Sequence, residues 1–86
     1  MARIEIYTTA FCPFCVRAKR LLKAENLAFE EIDVSASRSL RGAMSARAEG
    51  RTSVPQIFID DESIGGFTEL AALEKQEQLD KLLNQD

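Results

Sequence analysis

Cys12 and Cys15 are the only cysteines in the 86-residue chain, and they enclose Pro13 and Phe14. Two thiols three residues apart are badly spaced for stapling a fold, because joining them closes a tiny loop and removes little entropy from the unfolded chain. They are well spaced for chemistry. If a helix begins at Pro13, Cys12 falls at its N-cap and Cys15 at its third position. An N-cap side chain accepts hydrogen bonds from the backbone N–H groups of the second or third helical residue, here Phe14 or Cys15. The helix N-terminus also carries partial positive charge. Both effects favour a thiolate, which is the nucleophilic form of cysteine, and such positions depress a cysteine pKa to about 3.5–7.5. Cys15, one turn deeper, is expected to be buried and to keep its proton more readily. The pattern therefore assigns Cys12 as nucleophile and Cys15 as resolving thiol in disulfide exchange.

A zinc site is the competing use of such a pair. It would need two more ligands, and the chain has no histidine and no second pair of closely spaced cysteines. Of the nearby cations Arg17, Lys19 and Arg20, Lys19 is the one best placed to influence the thiolates.

The rest of the chain must position this pair. Residues 3–8 alternate polar and apolar, a strand signal. Proline is favoured at the first helical position, and Val16, Ala18, Leu21 and Leu22 give the segment 13–25 an apolar side, with Asn26 at its end. Residues 27–34 read as a second strand. Ser35 or Ser37 can cap a second helix over 37–49, in which Leu40, Met44 and Ala48 recur at helical spacing before Gly50. Residues 54–59 form a third strand, 60–63 a polar turn and 63–65 a short fourth strand. Helical segments near 67–74 and 75–84, the second carrying Leu79, Leu82 and Leu83, close the chain. The order βαβαββα combines a parallel crossover with a late antiparallel hairpin. It predicts an α/β protein with one four-stranded mixed sheet flanked by helices, and the short connections leave one domain, 1–86.

Two further features stand near the motif. Pro55 follows Val54 where a strand begins, a position proline seldom takes away from edges and bulges. A cis bond there would expose the Val54 backbone beside the cysteines, where an extended peptide could pair with it. Gly65-Gly66 alone reads as a plain turn. The other reading is a glycine pair that lets the N–H groups of Phe67 and Thr68 meet a carboxylate at a helix N-terminus. Phe14, inside the motif, is expected to be exposed and available to substrate.

Composition excludes several classes. With 45% apolar residues the chain can build a core. No apolar run approaches the ~18 residues of a membrane span, and Arg3 and Glu5 interrupt any leader-like core. The expectation is a soluble, unexported protein of the cytoplasm. The net charge of −3 is uneven. Residues 1–53 hold nine basic and six acidic side chains, and residues 54–86 two basic and eight acidic. The half with the cysteines is thus net positive, which suits anionic thiols.

Taken together, Ile6-Tyr7-Thr8, Cys12-Pro13-Phe14-Cys15, Arg17-Ala18-Lys19, Thr52 to Ile59 and Ile64-Gly65-Gly66 resemble, in order, the short bacterial dithiol glutaredoxins. The likeness spans essentially the whole chain. It implies a thioredoxin fold, a cis Pro55 and an enzyme that uses glutathione to reduce protein disulfides and glutathione mixed disulfides, with Cys12 forming the mixed disulfide. It implies no permanently bound cofactor or metal, a monomer, and disulfide-containing or glutathionylated proteins as partners, with neither nucleic acid nor membrane among them. A glutathione-ligated iron–sulfur carrier is the alternative within the family. By the same likeness the Val54 backbone holds the cysteinyl part of glutathione, Arg41 the glycyl carboxylate, and Gly66, Phe67 and Thr68 the γ-glutamyl end. Three positions depart from the usual pattern. Phe14 stands where many members have tyrosine, Thr9 where lysine is frequent, and Phe67-Thr68 where Cys or Ser precedes Asp. Those changes imply a weaker grip on glutathione, carried more by backbone groups.

Overall fold

The computed structural model describes residues 3–76. Seven elements follow one another: β1 (Ile4–Thr8), α1 (Pro13–Ala24), β2 (Glu30–Asp33), α2 (Arg38–Arg47), β3 (Gln56–Ile59), β4 (Glu62–Gly65) and α3 (Phe67–Lys75). The expected helix over 75–84 lies, beyond Gln76, outside the described residues. The strands form one mixed sheet in the order β2-β1-β3-β4. β1 runs parallel to β2 and antiparallel to β3, and β3 pairs antiparallel with β4.

β1 alternates in sequence yet is buried throughout. The reason is that helices cover both faces of the sheet. Ile4 and Ile6 join Ile57 and Ile59 in a cluster with Ala18 and Leu22 of α1 and Leu70 of α3. Tyr7 and Phe58, on the other face, meet Val34 and, from α2, Met44 and Ala48. Full burial of one such Leu, Ile or Phe contributes about 1.5–3 kcal/mol. Glu5 shares the α2 face and is only 6% exposed, because Arg47 reaches over from α2 to its carboxylate at 3.0 Å.

The ends of elements follow local chemistry. α1 stops in a Schellman motif. The Leu27 N–H donates to Leu22 O and the Asn26 N–H to Lys23 O, both at 3.0 Å, with Asn26 at φ 58°. β2 is shorter than expected, since residues 27–29 belong to that turn and the approach to the sheet. β3 starts at Gln56 rather than Val54, because Pro55 has no N–H to give a ladder. The β3–β4 connection is also tighter than the expected four-residue turn. Asp60 and Asp61 have φ of 50° and 69°, the pattern of a two-residue hairpin turn with positive φ at both positions, so Glu62 is already in β4.

At the end of α2 positive φ begins on Glu49 (60°), one residue before Gly50 (90°), and the Gly50 N–H closes the motif on Ser45 O at 2.8 Å. A side chain with Cβ in that conformation costs about 1–2 kcal/mol, and glycine gives part of that back in unfolded-state entropy. Glu49→Gly should therefore stabilise the protein by about 0.5–1 kcal/mol, read as a raised urea midpoint at unchanged m-value.

Candidate active site

The dithiol sits where β1 hands over to α1. Cys12 is the N-cap of α1, in extended conformation, and Pro13 follows at the first helical position. The Cys12 sulfur accepts the Cys15 N–H at 3.1 Å, one of the two donors expected from the spacing. Cys12 and Cys15 are joined as a disulfide, with Cα atoms 5.2 Å apart. Their surroundings differ: Cys15 is 1% exposed, while Cys12 is half-buried and open to solvent. An attacking sulfur can reach Cys12 and cannot reach Cys15 without opening α1.

The Val54–Pro55 bond is cis, and the Val54 carbonyl oxygen lies 3.9 Å from the Cys12 sulfur. Beside it opens a cleft of about 220 Å³ lined by Phe14, Val54, Pro55, Gly66, Phe67 and Thr68. Thus six of the seven residues singled out for substrate contact share one wall system. Gly66 caps α3 without a side chain, and its N–H donates to the Glu69 carboxylate at 2.6 Å. A Cβ on Gly66 would come within 3.3 Å of the Pro55 carbonyl oxygen. Glycine there lets the N-terminus of α3 close on the start of β3, so the glycine pair does more than turn the chain.

Aromatic packing shapes the cleft. The rings of Phe14 and Phe67 stand 6.1 Å apart at a tilt of 33°, and the Arg17 guanidinium lies over Phe14, 5.2 Å from its centre. A cation in that position is held by the ring quadrupole. Lys19 has a carboxylate partner. Its Nζ bonds Glu31 at 3.0 Å, and the Thr8 hydroxyl donates to the same carboxylate at 2.8 Å. Burial pushes the Glu31 carboxyl up, but the hydrogen bonds from Lys19 and Thr8 outweigh it and hold it below the usual carboxylate range. Lys19 is thus an ion-pair partner of β2.

Arg41 is not in the cleft. It borders a separate hollow with Ser35, Ser37 and Arg38, and its guanidinium donates to Thr52 O at 2.9 Å. The cleft instead includes Arg51, Gln56 and Glu69, which the motif reading did not single out as site residues. Arg51 is oriented by bonds to Ala48 O (3.0 Å) and the Ser63 hydroxyl (2.8 Å). In sequence it is one surface cation among several, and only the path of the chain after α2 turns it towards the cleft. Among the described residues no group of three or more His, Cys, Asp or Glu side chains is arranged to hold a metal ion. No helix among them is long and apolar enough to cross a membrane.

A mixed four-stranded sheet, a reactive pair at the first helix and a cis-proline loop opposite it define a dithiol protein of the thioredoxin fold. Comparison with known proteins narrows this. The glutaredoxin family model matches residues 4–64. A probable glutaredoxin of Synechocystis is 49% identical, covering 96% of this chain and 94% of its own. Glutaredoxin 3 of Escherichia coli K12 is 47% identical over 96% of this chain and 99% of its own. The solution structure of a glutaredoxin from Brucella melitensis superposes with TM-score 0.84 at 47% identity, covering 96% of this chain and 89% of that one. A dithiolic glutaredoxin of Trypanosoma brucei brucei gives 0.85 at 35% identity, with 95% and 87% covered. The chain belongs to the glutaredoxin family. With its Cys12–Cys15 pair it is a thiol–disulfide oxidoreductase.

Proposed function

We propose that this oxidoreductase draws its electrons from glutathione and reduces protein disulfides and glutathione mixed disulfides. The observation that carries the reading is the inequality of the two sulfurs beside the cleft: Cys12 open at the helix N-cap, Cys15 sealed one turn below. In the reduced protein the Cys12 thiolate attacks one sulfur of a substrate disulfide. The substrate S–S bond breaks, the departing sulfur takes a proton, and Cys12 is left in a mixed disulfide. With a protein disulfide, Cys15 gives up its proton and attacks Cys12, releasing the second substrate thiol and closing the Cys12–Cys15 bond. Two glutathione thiols then reopen that bond and leave as glutathione disulfide. With a glutathione mixed disulfide, one external glutathione resolves Cys12 and Cys15 is not needed.

The cleft volume is below the ~300–1,000 Å³ of a site that encloses a whole drug-sized ligand, which suits one end of a tripeptide. The γ-glutamyl carboxylate would meet the N–H groups of Phe67 and Thr68 at the positive end of α3, with Arg51 nearby. The cysteinyl part would lie along the Val54 backbone against Phe14 and Pro55, and the glycyl carboxylate would point across to Arg41. On this reading the protein acts as a single-domain cytoplasmic monomer with glutathione as co-substrate and no permanently bound group.

A coupled assay with glutathione, glutathione reductase and NADPH tests it. Cys15→Ser should keep reduction of a small glutathione mixed disulfide within a few-fold and lose reduction of a protein disulfide by about tenfold or more. The reading fails if NADPH oxidation does not depend on glutathione while dithiothreitol still drives turnover.

A further inference from the structure

Four large apolar side chains are exposed among the described residues, and three of them, Phe11, Phe14 and Val16, lie within the six residues that contain the dithiol. Phe14 has partners in Phe67 and Arg17. Val16 lies one turn beyond Cys12, its N–H bonded to Cys12 O at 3.1 Å. Phe11 is different. It is wholly exposed, at 103%, and its backbone is left-handed, with φ 58°, an uncommon state for a bulky side chain. It does not line the cleft. A backbone outlier beside a nucleophile, holding an aromatic ring in water, points to a use for the ring.

We propose that Phe11 is a docking residue for polypeptide disulfides, meeting an apolar side chain next to the target half-cystine. A small disulfide that reaches Cys12 from the cleft side leaves Phe11 in water. A substrate chain running through Cys12 in the other direction must cross it. The ground beyond is basic on balance: the Ala10 N–H is bound to the Ser35 hydroxyl at 2.7 Å, and Ser35 borders the hollow with Arg38 and Arg41, two guanidinium groups against the one Asp33 carboxylate that accepts the Ser35 N–H at 2.8 Å. The favoured segment therefore carries apolar residues at the half-cystine and acidic ones outside them. This rests on the dithiol chemistry alone and not on glutathione as the reductant.

The test is single-turnover reduction by protein pre-reduced with dithiothreitol and desalted. The substrates are disulfide-linked pentapeptide dimers with aspartate at both ends and either leucine or serine flanking the half-cystine, together with 2-hydroxyethyl disulfide. Partial burial of one aromatic ring predicts a preference of about five- to tenfold for the leucine peptide. Phe11→Gly, which keeps the positive φ available, should abolish that preference, and Phe11→Leu should restore part of it. The rate with 2-hydroxyethyl disulfide should stay within twofold in all three proteins. Equal rates for the two peptides in the unaltered protein would overturn the proposal. So would a leucine preference that survives Phe11→Gly, or a loss in that variant as large for the small disulfide as for the peptide.

Discussion

Cys12→Ser will lower disulfide reduction by at least about a thousandfold, the scale seen when an enzyme loses its covalent nucleophile. The expectation follows from where the two sulfurs sit. Cys12 is half-buried at the N-cap, and the Cys15 N–H already points at its sulfur from 3.1 Å. A serine oxygen could accept that hydrogen bond, so the cap and the fold should survive; what it cannot do is ionise near neutral pH, and only the thiolate attacks. Cys15 cannot take over, because at 1% exposure it lies under the first turn of α1. The measurement is the rate of reduction of a protein disulfide and of 2-hydroxyethyl disulfide, with the unfolding midpoint as control. A variant that keeps more than a few per cent of the activity at unchanged stability would show that Cys15 is the entry sulfur and reverse the assignment.

Arg47→Met should destabilise the protein by about 2–4 kcal/mol, somewhat below the range for breaking a fully buried ion pair. Arg47 is the hub of the face covered by α2. Its guanidinium bonds Glu5 at 3.0 and 3.3 Å, Tyr7 Oη at 2.9 Å and Asp61 at 3.2 Å, and it lies 4.1 Å above the Phe58 ring. Methionine fills much of the volume but leaves the Glu5 carboxylate, 6% exposed, with only the longer 3.4 Å contact to the exposed Arg3. That is a large part of the ~5–15 kcal/mol that holds a domain together.

The pair also sets an acid limit. The hydrogen bond from Arg47 holds the Glu5 carboxyl below the usual carboxylate range; burial pushes it up but loses to that bond and to the charges of Arg47 and Arg3. A carboxyl whose pKa is lower folded than unfolded adds stability that is complete above its unfolded value of about 4.5 and is lost as pH falls through the folded one. Urea midpoints should therefore drop as pH is lowered past that point. In Arg47→Met this part of the slope should shrink, since burial still pushes the Glu5 carboxyl up and only the longer contact to Arg3 is left to oppose it.

The order of elements and the reactive pair were legible because each rests on short-range rules. Pro13 marks a helix start, Asn26 suits a left-handed C-terminal position, and Cys12 and Cys15 are separated by less than one helical turn. What was not legible depended on distant parts of the chain. β1 alternates polar and apolar residues, yet Glu5 is buried, because α2 brings a guanidinium that no local pattern announces. The turn at Asp60-Asp61 is shorter than the polar run 60–63 suggests, since two aspartates at positive φ look like any polar run. Lys19 carries an ion pair to Glu31 of β2 that its place in the helix sequence does not announce. Arg41 and Arg51 are both exposed arginines before the Val54–Pro55 bond, and only the fold sends one to the cleft and the other to the hollow beside α2.

Cys12 and Cys15 close their bond inside a single turn of α1, and none of the seven elements lies between them. Making or breaking that bond therefore alters covalent connectivity over a few atoms and leaves the outline of the molecule the same. A partner cannot distinguish the charged from the spent protein by shape. Any contact that holds an incoming substrate will hold the outgoing product about as well, so stronger docking lengthens residence after the electrons have moved and makes product release the slow step. Throughput is best served by brief encounters through a few side chains, which is what a narrow cleft and isolated rings around one open sulfur provide.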